Sequence, residues 1–477
     1  MTYRVIIPVS LAFTTAIAVG MTAYAGTEDK AYTGSDDRAI SGPQKNQFVD
    51  FDLGKFRGSP VASCSSAGCH GGGNPGTKGS EQSTWASGDP HAKAYRVLFN
   101  EDSLRISANL RKSDPKRPLA HRDASCLACH ASPHDATFDG SAIAHSSDGV
   151  GCDACHGPSS QWLTRHYESD WKTLGLTQKE LLGFRNTKNL VTRLGTCVGC
   201  HVGDANREVT HDLIAAGHPR LAFEATRYHF SAKYKKHWTE TVSPREFEIR
   251  TWAIGQVLAA GAVVELVRHR AEQIKFKMVP WPELAEQGCF ACHQGLTHET
   301  KSQSNRRLGT ADWQPWYLAT LDLVAARSPQ LFPGTTSPDL TSINELVAEM
   351  RKARPDPEVV RVRALAAQKT MDAWIETIRA AEKEFATMPV SDDTLRSLAE
   401  AIAKRGESLG DWDRVAPHYL ALAAFYHADS SRFAPWKSTL LQLKSIVNYP
   451  RGFNSPKEFD AGKSRELFQD ISKGIGR

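Results

Sequence analysis

Residues 196–224 read TCVGCHVGDANREVTHDLIAAGHPRLAFE, and this stretch contains two cysteines and three histidines. Its segment Cys197–His201 is the C-x-x-C-H pattern that attaches a c-type haem. The two thiols would bond the haem covalently, and His201 would bind the iron from one face. His211 and His218 follow, and either could bind an iron from the opposite face. The stretch therefore predicts a c-type haem site.

Every cysteine of the chain belongs to such a pattern. The ten cysteines form five pairs, and a histidine directly follows the second cysteine of each pair. The pairs are Cys64/Cys69 with His70, Cys126/Cys129 with His130, Cys152/Cys155 with His156, Cys197/Cys200 with His201, and Cys289/Cys292 with His293. Zinc sites need groups of four ligands and would not place a histidine after every second cysteine. We therefore expect five covalently bound haem c groups, with these five histidines as proximal iron ligands.

The first pair differs from the other four. Cys64 and Cys69 are separated by four residues instead of two. A haem on this pair remains our expectation, and the alternative is a small disulfide loop followed by an incidental histidine. The three glycines at 71–73 favour the haem, because a backbone without side chains can lie close to a flat cofactor.

The N-terminus has the features of an export signal. Arg4 precedes an apolar run over residues 5–21, and Ala23-Tyr24-Ala25 resembles a cleavage site. We expect cleavage after Ala25 and a periplasmic protein, whereas the alternative is an uncleaved membrane anchor. The formal net charge of +5 is too small to indicate nucleic-acid binding.

The chain divides into four predicted parts. Residues 1–25 are the signal peptide, 26–60 a polar linker, 61–310 a multihaem cytochrome domain, and 311–477 a helical C-terminal domain. The predicted fold is mainly α with little regular sheet, because no convincing strand pattern occurs anywhere.

Apolar periodicity and capping residues predict the helices. Thr210 or Asn206 starts a short helix that Gly217 and Pro219 end. Another helix begins near Asp89 and Pro90, with Leu98 and Phe99 facing inward. Pro244 starts a long helix over residues 244–276. Amphipathic helices are predicted at 316–328, 341–353, 357–388, 392–409, 411–428 and 434–448.

Five histidines are candidates for the distal ligands, which would bind iron opposite the proximal ones. His91 lies in the first turn after a helix cap, and His166 follows the proximal His156 by ten residues. His211 and His218 are seven apart, a spacing that suits two neighbouring haems better than one. His145 lies between the second and third pairs, where His121 and His134 are further possibilities. The resulting candidates are His91, His145, His166, His211 and His218.

The number of axial ligands decides the function. An iron bound by two histidines has no open position and passes electrons, whereas an iron with one protein ligand can bind and convert small molecules. The 18 histidines permit two ligands for each haem. We expect electron transfer between redox partner proteins. Membership of a membrane-associated complex is a further possibility. The alternative is a nitrogen-oxide or hydroxylamine-converting oxidoreductase that uses one five-coordinate haem, so enzymatic activity stays open.

Three motifs resemble the multihaem cytochromes of the cytochrome c-554 family. They are 89–95 (DPHAKAY), 149–158 (GVGCDACHGP) and 210–220 (THDLIAAGHPR), with a looser match at 289–296. This family includes the tetrahaem carrier that receives electrons from hydroxylamine oxidoreductase. The resemblance covers about 61–300 and implies a helical, periplasmic electron carrier with closely packed haem pairs. It also implies His91 and His166 as distal ligands.

The resemblance has one further implication and three departures. The tetrahaem carrier has one five-coordinate haem, on its second motif, which implies that the haem on Cys126/Cys129 is the open one. This chain departs from the family pattern by its fifth cysteine pair, its longer first motif and its C-terminal helices. Fold analogy alone is a weak reason for assigning function.

Overall fold

The computed structural model describes residues 58–132, 147–230, 237–238, 240, 242–276, 280–289, 311–448 and 459–475. Every described residue belongs to one compact unit. Helices and no strands occur in these ranges, with two isolated β-bridges. The mainly α prediction is therefore confirmed. The predicted signal peptide, most of the linker, His145, Cys292 and His293 lie outside the described residues.

Helices carry three of the cysteine pairs, and each helix ends at the histidine that follows its pair: α3 at His130, α4 at His156 and α6 at His201. The helices before residue 230 are α1 Glu81–Gly88, α2 Glu101–Ser113, α3 Ala124–His130, α4 Cys152–His156, α5 Leu176–Glu180, α6 Leu190–His201, α7 His211–Ala216 and α8 Ala225–His229.

The helix predicted within the 210–220 motif is confirmed as α7. The Thr210 side chain accepts a hydrogen bond from the Leu213 N–H, which caps the helix start. Gly217 ends the helix in the left-handed region at φ 119°. His218 therefore lies just beyond α7 and does not share its axis with His211.

The region after Asp89 differs from the prediction. Two 3₁₀ segments, Pro90–Lys93 and Arg96–Phe99, replace the expected α-helix, although Asp89 does cap the first. Leu98 is buried as expected, but Phe99 is 50% exposed. The Phe99 prediction was wrong because this ring stacks on His121, with ring centres 4.5 Å apart, instead of entering the core.

The long predicted helix is confirmed as α9, Pro244–Gln273. By length and composition it could cross a bilayer, with a mean hydropathy of 1.2 over its most apolar window, and that window is wholly buried by other helices. An added Cβ at Gly255 would lie 2.4 Å from the Ala225 Cβ. The glycine therefore lets α8 approach α9 closely.

The C-terminal helices follow the predicted pattern. The segment predicted at 316–328 forms two short helices that begin only at Leu321, and the other predicted helices occur within a few residues of their expected bounds. An additional helix, α17, was not predicted. The set comprises α10 Leu321–Ala326, α11 Ser328–Leu331, α12 Thr341–Met350, α13 Pro357–Phe385, α14 Asp392–Gly406, α15 Trp412–Ala428, α16 Lys437–Val447 and α17 Ala461–Ile475.

One hydrophobic core joins residues from both sides of position 310. It includes Val198 of α6, Trp252 of α9, Met371 of α13 and Phe425 of α15. The Trp252 and Phe425 rings meet edge to face with centres 5.1 Å apart. The predicted domain boundary near residue 310 stays a prediction, and the C-terminal helix α13 packs directly on α6, which carries the fourth cysteine pair.

Candidate haem-binding site

A single large cavity contacts four of the five cysteine pairs. Its volume is about 3180 Å³, whereas a pocket for one small ligand typically measures roughly 300–1,000 Å³. The cavity therefore has room for several flat cofactors. Its wall includes the cysteines Cys64, Cys69, Cys126, Cys129, Cys152, Cys155, Cys197 and Cys200, and the proximal histidines His70, His130, His156 and His201.

Three of these proximal histidines face a second imidazole across the cavity. The ring centres within each pair are separated by nearly the same distance. The pairs are His70 with His166 at 6.1 Å and an interplanar angle of 16°, His91 with His201 at 6.1 Å and 74°, and His156 with His237 at 6.2 Å and 50°.

This separation is the one expected for two imidazoles on one metal ion. Each metal–nitrogen bond is about 2 Å long, so opposed imidazoles on one iron hold their ring centres roughly 6 Å apart. Ordinary aromatic pairs also occur between roughly 4.5 and 7 Å, so the distance alone does not identify a metal site. The three pairs differ from ordinary aromatic pairs in their composition, because each contains the histidine that directly follows a cysteine pair.

Hydrogen bonds orient the cavity histidines for metal binding. In five of them the Nδ1 atom contacts a protein acceptor, which leaves Nε2 for a metal ion. The contacts are His70 with Glu81 at 3.1 Å, His91 with Asp89 at 2.9 Å, His130 with the Ala94 carbonyl at 2.9 Å, His166 with the Leu163 carbonyl at 2.5 Å, and His218 with the Pro219 carbonyl at 2.8 Å.

Burial keeps the central imidazoles neutral. Removal from water, together with nearby histidines, lowers the pKa of His156 and the pKa of His201 to about 4 each. Burial opposes protonation of His91 as well, but its hydrogen bond and charge interaction with Asp89 raise its pKa. A neutral imidazole is the form that binds a metal ion. These residues therefore fit haem c, which this chain would hold through the cysteines and the imidazole pairs.

Contacts between cysteine side chains bring the attachment points together two by two. None of the nine described cysteines forms a disulfide. Cys64 hydrogen bonds with Cys152, which lowers the pKa of Cys64. Cys129 likewise hydrogen bonds with Cys200, and this contact lowers the pKa of Cys200. The first and third attachment points are therefore adjacent, as are the second and fourth.

His237 is the ligand candidate that sequence reasoning missed. It follows a basic run at 233–236, and no motif spacing relates it to His156. Arg193 of α6 fixes the residues beside it, because its guanidinium donates to Glu240 at 2.5 Å and lies 5.1 Å from the Trp238 ring centre. Trp238 also donates to Glu240 at 2.6 Å. The sequence signal for His237 was limited to its aromatic and acidic neighbours, Trp238 and Glu240.

The remaining predicted ligands have different positions. His218 lines the cavity, and its pKa is lowered by burial and by the charge of nearby His130. His211 lies away from the cavity wall at the start of α7, where its backbone N–H donates to Glu283 at 2.8 Å. Cys289 is also away from this wall.

The C-terminal helices complete the cavity. One face of α15 lines it, at helical spacing, with Trp412, Ala416, Tyr419, Leu420, Ala423 and His427. Trp412 stacks on Trp316, with ring centres 5.4 Å apart and planes 26° apart. The helices after residue 310 therefore form part of the wall that a cofactor in this cavity would touch.

Comparison with known proteins gives one match. A family model described as cytochrome c554 and c-prime matches residues 63–157, which include the first three cysteine pairs. No curated protein and no solved structure matches the chain significantly. The family match implies covalently bound haem c and agrees with the motifs at 89–95 and 149–158.

Proposed function

We propose that this chain is a five-haem electron carrier, and the match of residues 63–157 to the family model described as cytochrome c554 and c-prime supports a c-type cytochrome. The observation that carries the proposal is the set of three opposed imidazole pairs in one cavity. These imidazoles and the neighbouring cysteines would hold haem c, which would supply one-electron chemistry between Fe(III) and Fe(II).

The ligand pairs assign a role to each residue of the first, third and fourth sites. His70, His156 and His201 are the proximal ligands, and His166, His237 and His91 are their respective distal ligands. Two histidines on one iron leave no position for a substrate, so these sites favour electron transfer over conversion of small molecules.

A haem on the longer first motif is part of the proposal. Cys64 and Cys69 both line the cavity, and neither forms a disulfide. His70 is paired with His166 in the same way as the proximal histidines of two ordinary motifs are paired. This equivalence supports a first haem on Cys64/Cys69, and the fifth haem rests on the sequence pattern Cys289–His293.

Export and redox partners complete the proposal. The apolar N-terminal run and the Ala23–Ala25 site support cleavage and a periplasmic location. Electrons would enter from one redox protein and leave to another. Fractionation of cells and N-terminal sequencing test the location, since we expect a periplasmic protein that begins at Gly26.

One observation favours a second candidate function. Within the part of the chain that the structure describes, no imidazole faces His130 as His166, His237 and His91 face the other three. A haem on Cys126/Cys129 with one open position could bind nitrogen oxides or hydroxylamine. The second candidate is therefore an oxidoreductase that uses this haem.

Spectra of the purified holoprotein separate the two functions. The mass of the mature chain should first show five added haems. Carbon monoxide is then added to the reduced protein and nitric oxide to the oxidised protein. Five low-spin haems that bind neither gas support the carrier, whereas one high-spin haem that binds the gas supports the oxidoreductase. Fewer than five haems would contradict the five-haem proposal.

A further inference from the structure

A buried carboxylate of α15 contacts the fifth cysteine pair. Asp413 is 1% exposed, and its Oδ2 accepts a hydrogen bond from the Cys289 backbone N–H at 2.9 Å. The Arg220 guanidinium donates to Asp413 Oδ1 and also lies 3.2 Å from the Cys289 Sγ. Three segments that are distant in sequence therefore meet at one buried ion pair.

A second carboxylate of the C-terminal helices contacts the helix of the fourth pair. Glu382 of α13 accepts hydrogen bonds from the N–H groups of Leu190, at 2.6 Å, and Val191, at 3.3 Å. These are the first residues of α6, the helix that ends at His201. A carboxylate at a helix N-terminus satisfies free N–H groups and interacts favourably with the helix dipole.

The two contacts are of the same kind. In each, a carboxylate from a helix after residue 310 accepts backbone N–H groups of a segment that carries a cysteine pair. We propose that Glu382 and Asp413 are positioning residues, through which the C-terminal helices fix the fourth and fifth haem-attachment segments. This inference rests on the proposed function, because it takes both segments to hold haem.

The physical consequence is specific to each haem. The orientation of an attachment segment sets the contacts, burial and hydrogen bonding around its haem, and these determine the reduction potential. Loss of the Asp413 contact should therefore shift the reduction step of the fifth haem. Loss of the Glu382 contact should shift that of the fourth.

The Asp413 contact is tested by a paired replacement. A single substitution would leave Arg220 buried without its counter-ion and could prevent folding. The double variant Arg220→Met/Asp413→Leu removes both contacts and keeps the net charge, and apolar pairs often replace buried ion pairs without loss of stability. The matched control is Arg405→Met/Asp322→Leu, which removes an exposed ion pair between α14 and α10.

The Glu382 contact has a control on its own helix. Glu382→Met removes the acceptor for Leu190 and Val191 while keeping the side-chain length. Glu376→Met makes the same change at a position of α13 that is 60% exposed and forms an ion pair with Arg379 in the same helix. Circular dichroism shows whether each variant is folded.

The readout is a redox titration of each holoprotein, followed by absorption and electron paramagnetic resonance spectra. The variant Cys289→Ser/Cys292→Ser removes the attachment of the fifth haem, and Cys197→Ser/Cys200→Ser removes that of the fourth. The reduction step that disappears from each titration therefore belongs to that haem. We expect each test variant to shift its own step, to leave the other four in place, and to differ from its control.

Two results would overturn the inference, and a third result tests the proposed function separately. Folded test variants whose five steps all match wild type would overturn it, and so would an equal shift of all steps. Peptide mass analysis of wild type is the separate check on the proposed function. A Cys289 peptide without haem would contradict the five-haem proposal, and the Glu382 variant would then still decide the positioning role.

Discussion

The imidazole rings of His156 and His237 face each other with centres 6.2 Å apart and planes inclined by 50°. His156 directly follows the third cysteine pair, whereas His237 belongs to no motif. Both rings line the haem cavity, and burial lowers the pKa of each. This relationship assigns to the third site a distal ligand that the sequence did not indicate.

Replacement of His237 should affect one haem only. In His237→Ala we expect one of the low-spin haems to become high-spin, because the iron on Cys152/Cys155 loses its distal ligand. Electron paramagnetic resonance of the oxidised protein measures the change. His269→Ala, at the C-terminal end of α9, is the control and should leave the spectrum unchanged. A wild-type spectrum from His237→Ala would refute the assignment.

His91 and His218 should have different effects on the fourth haem. His91 faces His201 at 6.1 Å, so His91→Ala should make the haem on Cys197/Cys200 high-spin. His218→Ala should leave that haem low-spin, since His218 lies near His130 instead. Spectra of the two variants make the comparison. The opposite pattern would indicate that residues 196–224 supply both the attachment site and the distal ligand of the fourth haem.

Arg193 should act on the third haem through the neighbours of His237. Arg193→Met removes the ion pair with Glu240 and the contact with the Trp238 ring. Loss of such supporting contacts typically weakens metal binding by roughly 10- to 100-fold, so we expect a partly high-spin third haem. Arg396→Met, at an exposed position of α14, serves as the control. An unchanged third haem would show that Arg193 does not hold this segment.

Gly255 should be intolerant of alanine. The added Cβ would lie 2.4 Å from the Ala225 Cβ and would push α8 away from α9. Overpacking of this kind costs about 1–3 kcal/mol, of which helix propensity returns at most about 1 kcal/mol. Denaturant unfolding measures the loss. Gly462→Ala in α17, where an added Cβ meets no atom closer than 3.4 Å, should be neutral or stabilising.

Asp411 should make stability depend on pH. Burial raises the pKa of this α15 cap to about 6, although the Arg414 charge opposes the shift. Protonation therefore stabilises the fold fully below the unfolded pKa of about 3.9, and this stabilisation is lost as the pH rises through about 6.

The variant Asp411→Asn keeps the cap but cannot titrate. Relative to wild type, its free energy of unfolding should therefore rise by about 1–3 kcal/mol between pH 4 and pH 7. Denaturant unfolding at several pH values measures this, with Asp393→Asn, 85% exposed, as the control. A constant difference between Asp411→Asn and wild type across this range would contradict the assignment.

Local sequence signals predicted α7, α9 and the C-terminal helices α12 to α16, but not α1 to α6, α8 or α17. Pro244 and a long apolar period specified α9, and Thr210 with Gly217 specified α7, because caps and helix breakers act within a few residues. Phe99 was placed wrongly, since its exposure depends on stacking with His121 from another segment. The motif histidines at the cavity were recognisable because haem attachment fixes their spacing.

Contacts between distant segments were beyond sequence reasoning. His237 lies beside His156, and Arg193 of the distant helix α6 donates to Glu240, three residues after His237. Trp412 and His427 line the haem cavity because α15 packs beside α8 and α9, and no pattern within α15 distinguishes that face from a core face. Charge and periodicity describe one segment at a time, whereas these sites combine several.

Anomalous diffraction at the iron edge, from crystals of the mature holoprotein, tests the imidazole pairs most directly. We predict one iron between the rings of His70 and His166, one between His91 and His201, and one between His156 and His237. Iron peaks at the cysteine pairs but not between these rings would contradict the ligand assignment and the electron-carrier function that depends on it.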